Sequence, residues 1–375
     1  MTLLAITQCM NLGGMEHALL ELLRRLQHDG TTCSTISLNE PGPGATLYHQ
    51  SGIQVTSVGC TGKGGWRSAP RIAGLLRRQS PDLLLMTGHH VLTMVLVSAL
   101  IRRSRRVLWV HHHHAGTKPS WMWWLIYEYA VRCFDRVAFA SEFIRSEAMG
   151  LCPRLGPKSI LLRNAFESVG VVSTEERLDA RKRLGLPPDR PVVGNAGWLI
   201  GRKRFDIFLE TAARVKASRP DALFAIAGDG PEASKLRALA ASKGLTDSVH
   251  WFGWLEDMDS FYRSLDALLF NTDWDALGRT PLEAIGRGIP VVASAEHSGL
   301  SEMLPVNGCT CWDEHNIEGM TNQLLVLINS PAAAAEMGRK GREEFNRNDY
   351  GRTDWEALLS GLNGGAGMVR TNHRL

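Results

Sequence analysis

Short apolar blocks alternate along this chain with longer segments in which apolar residues return at helical spacing. LLAIT (3–7) is the first block. MEHALLELLRRLQHDG (15–30) is the first helical stretch, closed by Gly30 where a left-handed backbone is favoured. CSTISL (33–38), PDLLLMT (81–87), RRVLWV (105–110), RVAFAS (136–141) and KSILLRN (158–164) read as further strands, with an apolar helix expected over 90–101. Runs without polar alternation suit strands covered on both faces, and the helices between them supply the crossovers that parallel pairing needs. The first half therefore predicts a doubly wound parallel sheet.

The second half repeats the logic. PVVGNAGW (191–198) is a strand opening onto glycine, FDIFLETAARVKAS (205–218) an amphipathic helix, and ALFAIAGDGPE (222–232) a strand followed by a glycine-rich turn. SVHWFGW (248–254), ALLFNT (267–272) and PVVAS (290–294) are strands, with a helix over 280–287 between the last two. A chain of 375 residues exceeds the usual size of one core. We expect a Rossmann-like domain over 1–170, a linker over 171–190 and a second Rossmann-like domain over 191–347. A helix at 348–363, able to cross back to the first domain, and a flexible tail at 364–375 complete the chain. Two such domains facing each other would leave a central cleft at the carboxyl ends of their strands, where open α/β sheets bind ligands.

Composition changes this picture little: 44% hydrophobic and 21% charged residues describe an ordinary globular chain. Charge distribution says more. Residues 63–106 carry nine cations, from Lys63 to Arg106, against the single acid Asp82, which invites an anionic partner. The seven cysteines have no metal or disulfide spacing and read as reduced thiols of a cytoplasmic protein. The N-terminus lacks the basic region of a signal peptide, and the apolar run near 91–101 is too short to span a bilayer.

The stretch WDALGRTPLEAIGRGIPVVAS (274–294) carries the densest chemistry. Leu277, Gly278, Arg279 and Thr280 precede Pro281 and an expected helix, so their amides form an anion site at its N-terminus. Glu283 is expected in the first turn. A carboxylate there suits sugar hydroxyls rather than phosphate, and Asp275, on the preceding loop, suits hydroxyls beyond the diphosphate. Gly197 opens onto Arg202, Lys203 and Arg204, three cations at a helix entry where the dipole disfavours them unless an anion binds. Gly228 lies in a turn that either approaches a nucleobase or merely turns the chain. Gly13 and Gly14 open the first helix and either admit an anion or make a tight turn.

Residues 191–304 resemble the donor domain of retaining, GT-B-fold glycosyltransferases of family 4. LEAIGRGIPVVAS matches the latter half of that family's Glu-seven residues-Glu pattern, and HSGLSEML (297–304), with Gly299 and Glu302, matches its glycine-rich loop. AIAGDGPE resembles the second strand–turn, and Lys203 falls on the donor-phosphate lysine. Gly13-Gly14-x-Glu16, Ser141 and Asn164 resemble weaker landmarks of the first domain. The resemblance implies two facing domains and transfer of a sugar from a nucleotide-sugar donor to a glycan or lipid-linked acceptor. It implies retained configuration, no metal, and no cofactor beyond the nucleotide-sugar substrate. Lys203, Arg202 and the amides of 278–280 would then stabilise the leaving diphosphate. Two positions depart from the pattern: Asp275 stands for the first Glu and Trp198 for an arginine.

VHHHHAG (110–116) ends a strand on the ligand side. Successive residues of an extended run point to opposite faces, which opposes a metal site built from this run alone. The resemblance places a histidine near the transferred sugar, with His111 first and His113 second. SWMWWLIYEYAVRCF (120–134) reads either as a core helix or, with the basic segment, as a resting place on the inner face of an anionic membrane. Nucleic acid is not an expected partner. The expected activity is a hexosyltransferase of cell-surface polysaccharide or lipopolysaccharide synthesis. The alternatives are a nucleotide-sugar epimerase of the same fold and a non-catalytic nucleotide-sugar-binding protein.

Overall fold

The structure, a computed structural model, describes every residue except 12, 60–64, 112–117, 165, 167–169, 301, 303, 305–308, 313, 348–349 and 364–375. The chain divides into two compact units, one holding residues 1–165 with the segment from 349 onward, the other 166–348. In the first unit the elements are β1 (Thr2–Thr7), α1 (Gly14–His28), β2 (Thr32–Ser37), α2 (Ala45–Gln50), β3 (Gln54–Ser57), α3 (Ala69–Arg77) and β4 (Leu83–Thr87). They continue as α4 (Val91–Leu100), β5 (Arg105–Val110), α5 (Ser120–Cys133), β6 (Arg136–Phe139), α6 (Glu142–Leu151) and β7 (Ser159–Leu161). In the second unit come α7 (Thr174–Leu184), β8 (Val192–Ala196), α8 (Phe205–Ser218), β9 (Leu223–Ala227), α9 (Ala233–Ser242), β10 (Val249–Gly253) and α10 (Met258–Arg263). β11 (Ala267–Asp275), α11 (Arg279–Gly286), β12 (Val291–Ser298), β13 (Cys309–Trp312), α12 (Ile317–Asn329) and α13 (Pro331–Arg347) complete it, and α14 (Tyr350–Asn363) returns to the first unit.

The first sheet runs β3-β2-β1-β4-β5-β6-β7 and the second β10-β9-β8-β11-β12-β13, with parallel pairing throughout the named strands. This is the doubly wound α/β architecture expected from the apolar blocks. Alternate residues of each strand serve opposite helix layers. Leu3, Ala5, Leu83, Leu85, Val107 and Trp109 pack with α1 in one core. Strand order reverses between β1 and β4 in one sheet and between β8 and β11 in the other. Loops at such a switch point diverge and leave room for a ligand.

The segment 171–190 holds α7, which belongs to the second unit. Its start is a full capping box: the Ser173 side chain accepts from the Glu176 amide, and the Glu176 carboxylate accepts from the Ser173 amide. Arg181 of α7 is buried and donates to Asp266 (2.6 Å), Ser264 O (3.0 Å) and Pro188 O (2.8 Å). Helix α14 places Trp355 and Leu358 in the core of the first unit, where Asp354 accepts from the amide and guanidinium of Arg163 at 2.7–2.8 Å. β3 and β13 lie outside the expected strands, because QVTS and CTCW are short and only partly apolar.

Asp266 also accepts from the Val192 amide at 2.7 Å, so one carboxylate ties α7 to the start of β8. Asp266→Ala strands the Arg181 charge in the interior. A loss of about 3 kcal/mol is expected by urea denaturation, and a loss near zero contradicts this role for the pair.

Candidate active site

The switch point of the second sheet brings together the turn after β8 and the end of β11. Asp275 is the last residue of β11, still in register with Ser298 of β12, and not on a loop as expected. The ladder extends three residues beyond ALLFNT because Thr272 Oγ1 donates to the Trp274 carbonyl (2.9 Å) and the Arg202 carbonyl (3.1 Å), pinning the polar end of the strand. Lys203 ends a short 3₁₀ turn, Gly201–Lys203, and its ammonium bonds directly to the Asp275 carboxylate. Arg202 lies 3.8 Å from the same carboxylate, donates to Trp274 O (3.1 Å) and stacks over the Trp274 ring at 4.4 Å.

The two expected catalytic groups of this unit therefore meet each other. Burial alone would raise the Asp275 carboxyl, but Lys203 and then Arg202 outweigh it and hold the group below its ordinary range. Burial pushes the Lys203 ammonium down, and Asp275 only partly restores it.

Arg204, expected with its neighbours to suit a diphosphate, is bonded to two carboxylates. Among the described residues it is the only non-glycine with positive φ (44°), and it caps α8 in that conformation. A fork of bonds fixes it: Asp206 accepts twice at 3.0 Å, and Asp273 accepts at 2.8 Å. Asp273 is held in turn by His315 (3.1 Å), whose other ring nitrogen meets Ser294 Oγ at 2.6 Å. A left-handed arginine costs about 1 kcal/mol, and this network makes the conformation single-valued. Its effect is to set the turn that carries Lys203. No local pattern marks Asp273 and His315, since only the fold joins positions 42 residues apart.

Gly278 takes a left-handed backbone (φ 75°) as N-cap of α11, and a Cβ there would stand 2.7 Å from Leu300 Cδ1. The helix thus starts at Arg279, two residues before Pro281, and Glu283 lies one turn inside rather than in the first turn. The amide of Thr280 remains at the N-terminus, while Pro281 contributes none. Thr280 Oγ1 donates to Ala196 O at 3.0 Å, anchoring the helix start to the end of β8. The Glu283 carboxylate bonds to Arg279, whose guanidinium lies 5.4 Å over Phe166. Burial would raise Glu283, but Arg279, the Tyr262 hydroxyl and Arg287 hold it below the usual range. The i, i+4 spacing of Arg279 and Glu283 was the available signal for this pair.

Gly228 (φ 134°) is explained by backbone contact: a Cβ there would collide with the carbonyl of Gly197. The Gly197 amide donates to Ala227 O (2.9 Å) and the Gly228 amide to Gly253 O (2.6 Å), so three turns stack at one sheet edge. Trp198 is exposed beside them.

In the first unit Gly13 caps α1 and Gly14 is its first residue. Glu16 folds back over this end: a Cβ on Gly13 would meet its Oε2 at 2.5 Å, and Cys9 Sγ donates to its Oε1 at 3.2 Å. Burial raises the Glu16 carboxyl, and burial with the Glu16 charge pushes the Cys9 thiol up to about 11. His111 follows β5 with its ring 4.2 Å from that of Trp109. His113 lies outside the described residues. Ser141 is the N-cap of α6, accepting from Ile144 N, and Asn164 is buried. Among the described residues no three His, Cys, Asp or Glu side chains group as metal ligands.

Two parallel-sheet units, one with a cationic switch point beside a helix N-terminus, are the α/β architecture of the GT-B class. Comparison with known proteins carries this to a family. Residues 176–344 match the model for glycosyl transferases group 1, and residues 12–154 match that for Glycosyltransferase Family 4. The chain belongs to this family, the group 1 glycosyltransferases of family 4. It is 34% identical over 124 residues to the lipopolysaccharide core biosynthesis mannosyltransferase LpsB of Rhizobium meliloti, covering 32% of this chain and 35% of the relative. It is 29% identical over 177 residues to a GDP-mannose-dependent monoacylated alpha-(1-6)-phosphatidylinositol monomannoside mannosyltransferase of Corynebacterium glutamicum, covering 45% of this chain and 46% of the relative. The chain thus spans less than half the length of either relative in these matches. The crystal structure of Anabaena Alr3699/HepE in complex with UDP and glucose superposes with a TM-score of 0.83 at 17% identity, covering 96% of this chain and 99% of that one. This likeness shows the fold.

Asp275 and Glu283 are both held below their unfolded values, so the unfolded chain takes up protons first on acidification. Their stabilisation is complete only above both unfolded values, from about pH 5 upward, and is lost as pH falls through the lower folded values. Asp275→Asn should destabilise the protein at neutral pH and flatten the acid limb of its thermal stability. An unchanged acid slope contradicts the pairing.

Proposed function

We propose that this protein transfers a sugar from a nucleotide-sugar donor to a glycan or lipid-linked acceptor, with retention of anomeric configuration. The second unit takes the donor and the first selects the acceptor. The observation that carries this reading is the meeting of Lys203, Arg202 and Asp275 with the N-terminus of α11 at the second sheet's switch point. The relatives' lipopolysaccharide and phosphatidylinositol mannoside chemistry supports a place in cell-surface polysaccharide or lipopolysaccharide assembly.

In this reading donor binding exchanges partners. The diphosphate draws Lys203 and Arg202 away from Asp275, and Asp275 becomes an acceptor for sugar hydroxyls. Glu283 accepts hydroxyls of the nucleotide's ribose, with Arg279 and Tyr262 fixing its orientation. As the bond from the anomeric carbon to the diphosphate oxygen breaks, negative charge grows on that oxygen. Lys203, Arg202 and the N-terminal amides of α11 stabilise it. The acceptor hydroxyl bonds to the anomeric carbon from the same face, and its proton passes to the departing phosphate. The nucleotide sugar is the substrate, and neither a metal nor a further cofactor takes part. His111 lies at the strand end assigned to the transferred sugar.

Incubation with labelled nucleotide sugars and a crude membrane extract tests the reading. Label in lipid or glycan is expected. Isomerised nucleotide sugar would instead mark an epimerase, and binding without turnover a sensor. Lys203→Ala should lower kcat by about 10²–10³ with a smaller change in KM, whereas a pure KM effect contradicts its role. Glu283→Ala should weaken nucleotide binding and abolish transfer, and unchanged kinetics would remove it from the site.

A further inference from the structure

Two consecutive residues of one turn meet two alternate carboxylates of one strand. Lys203 bonds to Asp275 and Arg204 to Asp273 (2.8 Å), and the two aspartates share a face of β11 because side chains alternate along a strand. The two rungs are not equal. Asp206 also grips Arg204 through two bonds of 3.0 Å, and Asp273 has a further partner in His315.

His315 stands two residues before α12, and its side chain is 9% exposed. Its Nε2 lies 3.1 Å from Asp273 Oδ1 and its Nδ1 2.6 Å from Ser294 Oγ. Ser294 Oγ in turn accepts from Asn271 Nδ2 at 2.8 Å, and both of these residues are fully buried. The partners fix the direction of each bond. The amide nitrogen of Asn271 only donates, which leaves the Ser294 hydroxyl to give its hydrogen to His315 Nδ1. A carboxylate only accepts, so Nε2 carries the ring hydrogen and donates to Asp273. Donation thus runs from the interior of the sheet out to the carboxylate that holds Arg204. One oxygen, Asp273 Oδ1, receives both His315 and Arg204.

This chain matters once the Lys203–Asp275 pair opens. A lysine ammonium rides on a flexible four-carbon stem, so away from Asp275 its position depends on the turn beneath it. That turn is closed by the Lys203 amide on Ile200 O (2.9 Å) and the Arg204 amide on Gly201 O (3.0 Å). Arg204 ends it at φ 44°, a conformation that an arginine rarely adopts.

We propose that His315 is a positioning residue for transfer. By holding Asp273 on Arg204 it keeps the turn closed, and the turn aims the Lys203 ammonium at the leaving phosphate after Asp275 has released it. The Asp273 rung stays made while the Asp275 rung is exchanged for donor, and Arg204 is kept off the diphosphate. The role in transfer rests on the transferase reading. The clamp itself does not.

Amide hydrogen exchange on the full-length protein without donor tests the clamp, and steady-state transfer kinetics test the role. His315→Ala should speed exchange of the Lys203 and Arg204 amides by about tenfold or more, as expected for loss of one hydrogen bond to a charged group. Amides within β8 and β9 should exchange as in the wild type. The same variant should lower kcat by about tenfold and hold KM for the donor within about twofold. His315→Gln, whose side-chain amide can donate to Asp273, should recover most of both. Arg204→Lys keeps the charge but cannot bridge two carboxylates, and it should reproduce the His315→Ala changes. Faster exchange spread over the whole second unit would mark a merely structural histidine and overturn the proposal. Unchanged exchange at the turn, a loss confined to KM, or a His315→Gln variant as poor as His315→Ala would also overturn it. A wild type without turnover removes the reaction and with it this role, yet leaves the exchange pattern intact, so the two failures are told apart.

Discussion

The ion pair between Lys203 and Asp275 is the constraint around which the second unit is arranged. Neither charge is affordable alone at the end of a covered strand, since an isolated buried ion faces a desolvation cost of several kcal/mol or about that order. Together, with Arg202 close by, they are tolerated. Much of the surrounding structure keeps the two in place. The bond from Thr272 to the backbone of Arg202 and Trp274 extends β11 to Asp275, and the clamp of Asp206 and Asp273 on Arg204 sets the turn that ends at Lys203.

A site held this way is preorganised yet not satisfied for good. A pair of opposite charges at a switch point can be exchanged for a ligand that brings both an anion and hydroxyls. A diphosphate linked to a sugar is such a ligand. The Arg279–Glu283 pair one turn into α11 repeats the device, with Thr280 anchoring the helix to β8. The backbone around it is close-packed, because Gly197 and Gly228 touch without intervening side chains. Electrostatic stabilisation of a leaving group requires donors already held in place.

Much of this fold is legible in the sequence, since short apolar runs such as LLLMT and LFAIA, set between helical segments, read as strands covered on both faces. Helix α8 falls on the residues its periodicity indicates, 205–218. The less apolar β3 and β13 carry no such signal. Within the site, residue types and strand-end glycines mark the region but not the pairings. Asp275 reads as a loop residue because nothing in DWD announces that a ladder continues through it. The start of α11 reads late because Pro281 looks like a first residue, when Gly278 has already turned the chain. The roles of Arg204, Asp273 and His315 depend on contacts between distant segments, which no local pattern contains.

Crystals soaked with a nucleotide sugar give the most direct view of the central claim. Density is expected at the carboxyl edge of the second sheet, with the diphosphate bonded to Lys203 and the amide of Thr280, Asp275 released from Lys203, and Glu283 on the ribose. Ligand density at another place, or a Lys203–Asp275 bond left intact beneath a bound donor, contradicts it.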